Sequence, residues 1–473
     1  MNAPPQHCGR FDAVTNRRDF LKRAGAGFGM LALVSLLDQR NLLAADTSAV
    51  LNPLTSKPAH FPAKAKSVIW LFMEGGPSGF DLFDFKPELQ KSHGKKIPIE
   101  TFFGDPGPLM KSPFQFQQHG QSGAWVCEKY PNIARHVDDL ALIKSCQTES
   151  NNHAPAMFQM NTGLSRPGFP SAGAWVTYGL GSENQNLPGY VVLSNQRGSK
   201  GGALNWSAGF LPTTYQGTVF RSQGSPILNL NRTADVTQED QRAQLDLMAK
   251  LNAEHQAQHR GEADLLARIQ SFELAYRMQM EAQQLVDLSK ESEATKKMYG
   301  LDQKASKGFG EKCLMARRLV EREVRFVQVY CNEEWDAHGD LRQNHTDMCA
   351  QTDAGVAGLL QDLKQRGLFD STLVIWGGEF GRMPVSEKGQ GRDHNPHGFL
   401  IWMAGAGIKG GTSFGETDEF GHRAVVDPVS VHDIHATALH LLGIDHERLT
   451  YFHNGRKYRL TDVSGNVLRK ILT

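Results

Sequence analysis

Late in the chain, six residues that could bind a metal ion, transfer a proton or hold an anion lie between two short apolar runs. They are Glu379, Arg382, Arg392, Asp393, His394 and His397. The runs, Thr372–Trp376 and Phe399–Met403, are bounded by glycine and predict buried strands of a parallel sheet. Carboxylates with imidazoles favour a divalent metal site, and either arginine could hold an anion in a bidentate fork. The alternative is a solvated loop without chemistry, because loops collect polar residues in any protein.

A second cluster follows the apolar run Val324–Cys331. Asp336 and His338 are two residues apart, so their side chains point to the same side of an extended segment. This mixture of carboxylate and imidazole suits Zn²⁺ or Mn²⁺, whereas Ca²⁺ or Mg²⁺ would be favoured where carboxylates dominate.

The first apolar run, Ser67–Met73, also ends in carboxylates. Glu74 follows it directly, and Asp81 comes after two glycines that let the backbone turn tightly and approach a ligand. Each of these carboxylates is either a metal ligand or a residue that caps a turn.

The runs 67–73, 324–331 and 372–376 should lie side by side at the centre of the sheet, with their carboxyl ends at one edge, where α/β proteins bind ligands. The side chains expected to converge there are those of Asp336, His338, Glu379, Asp393, His394 and His397. His153 precedes a helix predicted over about 155–163 and should face the same cavity as a ligand or general acid. Carboxylates crowded with imidazoles need a compensating cation or ion pair, so we expect a divalent metal.

The elements that must position these residues predict an α/β fold. The chain has 473 residues, of which 40% are hydrophobic and 21% charged, enough for one large or two fused α/β domains. We expect a doubly wound, mostly parallel sheet sandwiched by helices over residues 67–473, because short apolar runs alternate with helical patterns. A polar stretch rich in Gln, Glu and Ala predicts a helical insertion at about 235–305.

The N-terminal sequence has features of an export signal. Arg17 and Arg18 precede a weakly apolar, glycine-rich run, Ala24–Leu37, that is too short to span a bilayer comfortably. Residues 1–45 therefore resemble a twin-arginine signal peptide, with cleavage near Leu42–Asp46 and an extended linker over 46–66. This predicts a periplasmic or secreted protein that meets the twin-arginine translocase. A chance basic amphipathic N-terminus is the alternative.

Charge and cysteine usage narrow the class of protein further. The net charge of +1 gives no argument for nucleic acid binding, and no later segment predicts a stable membrane span. Five cysteines lie beyond the signal region: Cys127, Cys146, Cys313, Cys331 and Cys349. Their number is odd and no CxxC spacing occurs, so buried free thiols are favoured over metal ligands.

Five segments occur in order between about residues 67 and 445: "SVIWLFMEGGPSGFD", "PNIARHVDDLALIKS" leading into "HAPAMFQMNTG", "WDAHG", "STLVIWGGEFG" with "GRDHNPHG", and "VHDIHATALHLLGID". Their order resembles the alkaline phosphatase and sulfatase superfamily. It is more closely similar to an exported bacterial family known as domain of unknown function 1501 (DUF1501). The resemblance implies an alkaline phosphatase-like fold.

The resemblance also implies roles for individual residues. Glu74 matches the first metal carboxylate of sulfatases, and Asp336 with His338 resembles the Asp-and-His strand end of phosphatases. Glu379 matches the later metal Asp, but Phe380 stands where that Asp has an Asn or His partner. The downstream segment "GRDHNPHG" could supply the ligand that this phenylalanine cannot.

The nucleophile is where the resemblance fails. His153 matches the nucleophile of sulfatases and no arginine follows it, which excludes formylglycine chemistry. A phosphatase-like nucleophile would have to be Thr148 or Ser150.

Two functions therefore stay open. The first is a metal-dependent hydrolase of a small anionic ester or of a sulfated or phosphorylated glycan, using metal-activated water. The second is a non-catalytic relative that serves as an exported binding or partner protein.

Overall fold

The apolar runs predicted as strands form the centre of a nine-stranded sheet in the computed structural model. The strands are β1 (Ser67–Met73), β2 (Phe116–His119), β3 (Ala124–Cys127), β4 (Leu140–Gln147), β5 (Tyr190–Ser194), β6 (Thr218–Arg221), β7 (Phe326–Cys331), β8 (Thr372–Gly377), β9 (Gly381–Arg382), β10 (His394–Asn395), β11 (Phe399–Ala404), β12 (Thr412–Phe414), β13 (Glu416–Thr417), β14 (Ala424–Val426), β15 (Val429–Ser430), β16 (Tyr451–His453) and β17 (Arg456–Tyr458). The order in the sheet is β12-β4-β11-β8-β1-β7-β5-β6, and β15 also pairs with β4.

The structure describes most of the chain beyond residue 51. The described residues are 52–99, 101, 106–195, 198–221, 227, 236–258, 263–332, 334–387 and 389–473. The predicted signal peptide and its cleavage region lie outside them, as does the start of the predicted linker.

Helices cover both faces of the sheet. They are α1 (Gly79–Leu82), α2 (Pro87–Lys91), α3 (His153–Thr162), α4 (Ala172–Leu180), α5 (Gln238–Gln258), α6 (Ala263–Val286), α7 (Glu293–Met298), α8 (Lys307–Glu321), α9 (Leu341–Gln365) and α10 (Val431–Leu441). Short 3₁₀ helices span Ile133–Asp139, Gly202–Trp206, Thr213–Tyr215, Leu288–Lys290, Phe369–Ser371 and Arg469–Ile471. The helices α5, α6 and α7 lie in the segment predicted as a helical insertion.

Side chains of the central strand enter two separate apolar layers. Ile69 and Leu71 of β1 belong to one buried cluster, whereas Val68 and Trp70 belong to the other. All residues of β1 are buried, as expected for a parallel strand covered on both faces. The predicted sandwich, a mostly parallel sheet between helices, is therefore confirmed.

One strand runs against the prediction. The run Phe399–Met403 was expected to be parallel, but β11 pairs antiparallel with both β8 and β4, whereas the other pairings in the sheet are parallel. The prediction failed because the chain from β8 to β11 contains no crossover helix, which a parallel neighbour would require.

The described part of the predicted linker lies against the domain. The amide of Lys57 donates to the carbonyl of Leu180, and the amide of Ala65 donates to the carbonyl of Leu441, both at 2.8 Å. Residues 52–473 form one compact unit.

Two further features concern the whole described chain. Among the described residues, no helix has the length and apolar character needed to cross a membrane. The five cysteines beyond the signal region are buried free thiols, as predicted.

Candidate metal centre

Three neighbouring strands deliver the polar residues to one edge of the sheet. β1 lies between β7 and β8 and is parallel to both, so Met73 pairs with Cys331 at the edge where Gly377 ends β8. Because β11 is antiparallel to β8, the segment between them starts and finishes at this same edge. Within that segment, β9 and β10 pair His394 with Arg382.

Backbone hydrogen bonds fasten the segments that leave these strands. The Trp335 amide donates to the Glu74 carbonyl, and the Arg392 amide donates to the Ala337 carbonyl, both at 2.9 Å. The first contact depends on Gly75, whose φ is +109° and where a Cβ atom would lie 2.6 Å from the Trp335 nitrogen. The segment after β7 is therefore fixed between the segments that follow β1 and β8.

We expect Gly75→Ala to lower the free energy of unfolding by about 2–3 kcal/mol, because it adds overpacking to backbone strain. Gly94→Ala is the matched control, since Gly94 also has a positive φ of +85° but no atom within 4 Å of an added Cβ. Backbone strain alone should cost the control about 1 kcal/mol. Equal losses for both variants in urea unfolding would contradict the proposed close contact.

Asp336 is the centre of the cluster, and five side chains contact its carboxylate. Oδ1 lies 2.7 Å from Arg382 Nη2, 3.0 Å from His338 Nε2 and 3.1 Å from His394 Nε2, and Oδ2 lies 3.0 Å from His153 Nε2 and 3.2 Å from Lys200 Nζ. Burial raises the pKa of Asp336, but the three histidines and the guanidinium outweigh burial and hold that pKa far below its usual range. The carboxylate is therefore ionised and able to bind a cation.

Two histidines of the cluster have acceptors at Nδ1. His338 Nδ1 lies 2.5 Å from Glu387 Oε2, and His394 Nδ1 lies 2.6 Å from the Asn151 carbonyl. A neutral ring whose Nδ1 donates to such an acceptor presents a lone pair at Nε2. The two Nε2 atoms are 2.9 Å apart, and both face Asp336 Oδ1. Three electron-pair donors thus converge, an arrangement that needs a proton or a metal cation between them.

His153 begins α3 and faces the cluster from the N-terminus of that helix. Its Nδ1 lies 2.6 Å from Glu379 Oε1, and its Nε2 contacts Asp336. Glu379 is fully buried and also accepts from the Gly75 amide at 3.0 Å. Burial lowers the pKa of His153, but its bonds to the two carboxylates outweigh burial and raise that pKa above its usual value. The position therefore favours a bound proton or metal ion.

Negative groups outnumber positive ones in the cluster. Its carboxylates are Glu74, Asp336, Glu379, Glu387 and Asp393, and its permanent cations are Lys200 and Arg382. Burial raises the pKa of Glu74 to about 7. Contact with Asp336 raises the pKa of His338, whereas burial lowers that of His394. Protons on His153, His338 and Glu74, whose pKa values are raised, offset much of the carboxylate surplus, and a divalent cation could take the place of those protons.

Two groups of three residues could hold a metal ion. One is His153, Asp336 and His394, and the other is His338, Asp393 and His394; within each group the ligand atoms lie within 4.8 Å of one another. Imidazole and carboxylate ligands in this mixture suit Zn²⁺ or Mn²⁺. The structure brings these five residues together, as the strand ends predicted, and Glu379 joins them through His153. Metal ligation itself stays a prediction.

Arg382, which was predicted to hold a substrate anion, has a different role. Its guanidinium is fully buried and donates to the carbonyls of Gly75, Gly76 and Arg392 as well as to Asp336. The prediction is wrong because every guanidinium nitrogen already has an acceptor inside the protein. Arg382 instead positions Asp336 and the segment after β1.

Arg392 and Asp81 contact each other, so the anion-binding role predicted for one and the metal-binding role predicted for the other are both wrong. Arg392 Nε lies 2.9 Å from Asp81 Oδ2, and both side chains are fully buried. Ser78 Oγ also donates to Asp81 at 2.5 Å, and the guanidinium lies 4.7 Å from the centroid of the Phe80 ring. The two charges neutralise each other in the interior instead of serving a ligand.

Two other predicted ligands lie outside both metal triads. His397 is exposed and its ring packs 5.7 Å from that of His422, because Asn395 turns the chain away by accepting from the His397 amide. The prediction that His397 joins the cluster is therefore wrong. Glu74 is buried at the margin of the cluster, where Asn332 Nδ2 donates to its Oε2 at 3.3 Å. A ligand role for Glu74 stays a prediction.

Sequence reasoning missed Lys200 and Glu387. The Lys200 side chain is 28% exposed and contacts Asp336, and its amide donates to Glu74 Oε1 at 2.6 Å. The signal for it was a single lysine in the Gly-, Ser- and Pro-rich segment 196–231. The signal for Glu387 was an acidic residue in the same segment as His394.

A family model described as "Protein of unknown function (DUF1501)" matches residues 65–472. The chain belongs to the DUF1501 family. That match covers the whole domain predicted over 67–473 except its last residue. No curated protein matches the sequence.

Solved structures similar to this DUF1501 protein include three hydrolases. A phosphonate monoester hydrolase of Silicibacter pomeroyi has 10% identity and a TM-score of 0.38, covering 86% of this chain and 76% of its own. A sulfatase of a Pseudoalteromonas species has 14% identity and a TM-score of 0.35, covering 80% and 68%. The alkaline phosphatase of the Antarctic bacterium TAB5 has 12% identity and a TM-score of 0.34, covering 76% and 97%. The fold class is assigned from the strand order and strand directions of the central sheet.

Proposed function

We propose that this protein is an exported metal-dependent hydrolase of sulfate or phosphate esters. The proposal is carried by the convergence of His338 Nε2, His394 Nε2 and Asp336 Oδ1, which lie 2.9, 3.0 and 3.1 Å from one another. Asp393 and His153 would complete the ligand sets. The donor mixture favours Zn²⁺ or Mn²⁺, with Ca²⁺ or Mg²⁺ as alternatives if the carboxylates dominate.

A divalent ion bound there would supply positive charge for the ester oxygens and lower the pKa of an attacking water. The chain's own side chains would bind and orient the ester. If the ion is held by the triad His338, Asp393 and His394, His153 is not a ligand and could donate a proton to the leaving alcohol, since its bonds to Asp336 and Glu379 raise its pKa. Arg382 and Arg392 are buried, so Lys200 would bind an oxygen of the ester in their place. Its ammonium group is partly exposed beside Asp336.

The proposed substrate is a small anionic ester, or a sulfated or phosphorylated glycan, met outside the cytoplasm. Export would follow the twin-arginine route, for which Arg17 and Arg18 supply the motif. This route carries folded proteins, which suits a chain that binds its metal before export.

A non-catalytic binding protein is the second candidate, and two observations favour it. The Phe380 ring packs 4.9 Å from the His153 ring and 4.5 Å from the His394 ring, so an apolar group covers part of the cluster. The hydroxyls of Thr148 and Ser150 donate to local carbonyls instead of facing the cluster. Such a protein could keep the ion and bind an anion without cleaving it.

Metal analysis with an ester panel separates the two candidates. We expect protein purified from its native host to contain stoichiometric zinc or manganese and to hydrolyse at least one chromogenic sulfate, phosphate or phosphonate ester. Chelation should abolish this hydrolysis and added metal should restore it, because the cluster alone lacks an activated nucleophile. Bound metal without hydrolysis of any ester would support the binding protein, and the absence of metal would contradict the hydrolase.

A further inference from the structure

A large cleft lies beside the metal cluster at the same edge of the sheet. It has a volume of about 1110 Å³ and opens between the carboxyl ends of β5, β6 and β7 and the first turn of α8. Its lining includes Asn195, Arg221, Lys304, Lys307, Lys312 and Asn332. The volume is large enough for a ligand of more than one ring or charged group.

The lining of the cleft is mainly cationic. Arg221 and Lys304 have no ion-pair partner among the described residues, whereas Lys307 interacts electrostatically with Glu311, and both lysines are exposed. Lys312 is nearly buried and donates to the Tyr330 carbonyl at 2.8 Å. The acidic lining residues are Glu311 and Asp347. A cleft lined mostly by one sign of charge concentrates ligands of the opposite sign, so this cleft favours anions.

The start of α8 adds hydrogen-bond donors to the cleft. Ser306 is the N-cap of the helix, but its hydroxyl donates to the Gly300 carbonyl at 2.6 Å and does not cap the helix. Gly308 and Phe309 line the cleft, and their amides have no acceptor among the residues that the structure describes. Uncapped amides at the positive end of a helix dipole favour a bound oxyanion.

Asn332 joins the cleft to the metal cluster. Its Oδ1 faces Lys312 Nζ at 3.4 Å on the cleft side, while its Nδ2 donates to Glu74 Oε2 at the margin of the cluster. Asn332 therefore links the cleft to Glu74 at the margin of the cluster. A ligand with one anionic group at the cluster could place another in the cleft.

We propose that this cleft binds a second sulfate or phosphate group of the substrate, so that the substrate is a multiply charged anion. The inference rests on the proposed function for the position of the first ester group. The cleft itself recognises the oxyanion through Lys304, Lys307 and the uncapped turn of α8, none of which belongs to the metal cluster. Binding in the cleft should therefore persist without metal.

The test compares Lys304→Ala/Lys307→Ala with Lys409→Ala/Lys457→Ala, which removes two exposed lysines elsewhere in the chain. A disulfated disaccharide and inorganic tripolyphosphate are titrated calorimetrically into metal-free and zinc-loaded protein. The cleft variant should bind at least one probe at least about tenfold more weakly than wild type in both states, because two charge-assisted contacts are lost. The control should bind like wild type, and all variants should melt at similar temperatures.

The two probes identify the source of the second anion. Weakening limited to the disaccharide indicates a sulfated sugar, and weakening limited to tripolyphosphate indicates a phosphorylated ligand. Equal affinity of the cleft variant and wild type, or equal weakening in the control, would overturn the inference. A further outcome is that the wild type takes up no metal and cleaves no ester while the cleft variant still binds the probes more weakly. That result would contradict the proposed hydrolase but support anion binding in the cleft.

Discussion

Replacing His394 with alanine is expected to abolish stoichiometric metal uptake. His394 is the residue that the two candidate triads share, so its loss removes one ligand from each. The affinity for Zn²⁺ should fall by at least about 100-fold, since the loss of an outer-shell partner alone costs about 10–100-fold. Elemental analysis after dialysis against a zinc buffer measures the effect, and ester hydrolysis should disappear with the metal.

His397→Ala is the matched control for this variant. His397 lies three residues further along the same segment, but its side chain is exposed and outside both triads. The control should keep the metal content and activity of wild type. Full metal retention in His394→Ala would place the ion elsewhere, and equal loss in both variants would show that the segment, and not the ligand, had been disturbed.

His394 is a sharper choice than the change that the sequence alone suggests. From the sequence, Asp336→Ala with His338→Ala should remove the metal and leave the fold intact. In the structure, Asp336 is the carboxylate that faces the fully buried guanidinium of Arg382. Removing it would leave a buried cation without that partner, so lost metal could not be separated from lost fold.

The sequence predicted the sheet because its strands are short, almost wholly apolar runs. β1 has the predicted bounds, Ser67–Met73, and the predicted run Thr372–Trp376 is one residue shorter than β8. The direction of β11 was wrong because periodicity and apolar content describe burial and carry no information about strand direction. The predicted position of the site was still correct. The segment between β8 and β11 begins and ends at the edge of the sheet where the site lies.

The site was predictable to the extent that strand ends determine it. Asp336, His338 and Glu379 follow buried strands closely, so the topology alone brings them together. Lys200 was missed because the position of a lysine in a long Gly- and Ser-rich segment depends on tertiary contacts. The roles of Arg382 and Arg392 were wrong because only the structure shows which internal acceptors their guanidinium groups meet.

Arg392→Met is expected to lower the free energy of unfolding by about 3–5 kcal/mol, because it leaves the charge of a buried partner uncompensated. That partner, Asp81, is fully buried and would keep only the hydroxyl of Ser78 from its present side-chain contacts. Burial outweighs the contact with Asp81 and lowers the pKa of Arg392, so the interior disfavours an unpaired charge at this position. Urea unfolding followed by circular dichroism measures the loss.

Arg456→Met is the control for the loss of an arginine from an ion pair. Its partner is Asp462, but 49% of the Arg456 side chain is exposed, so the change should cost less than about 1 kcal/mol. The second arm is the double variant Arg392→Met/Asp81→Asn, which removes both charges. Its loss of unfolding free energy should be smaller, by about 0.5–3 kcal/mol, than the sum of the losses in Arg392→Met and Asp81→Asn, because the two residues are in direct contact.

The same variants decide between an ion pair and an anion site at Arg392. A buried ion pair predicts that Arg392→Met, at a temperature where it is folded, binds metal and esters as the wild type does. An anion fork predicts the reverse, a stable variant with weakened ester binding. Because Arg392 is fully buried against Asp81 and the Phe80 ring, we expect the first result, with stability lost and ligand affinity unchanged.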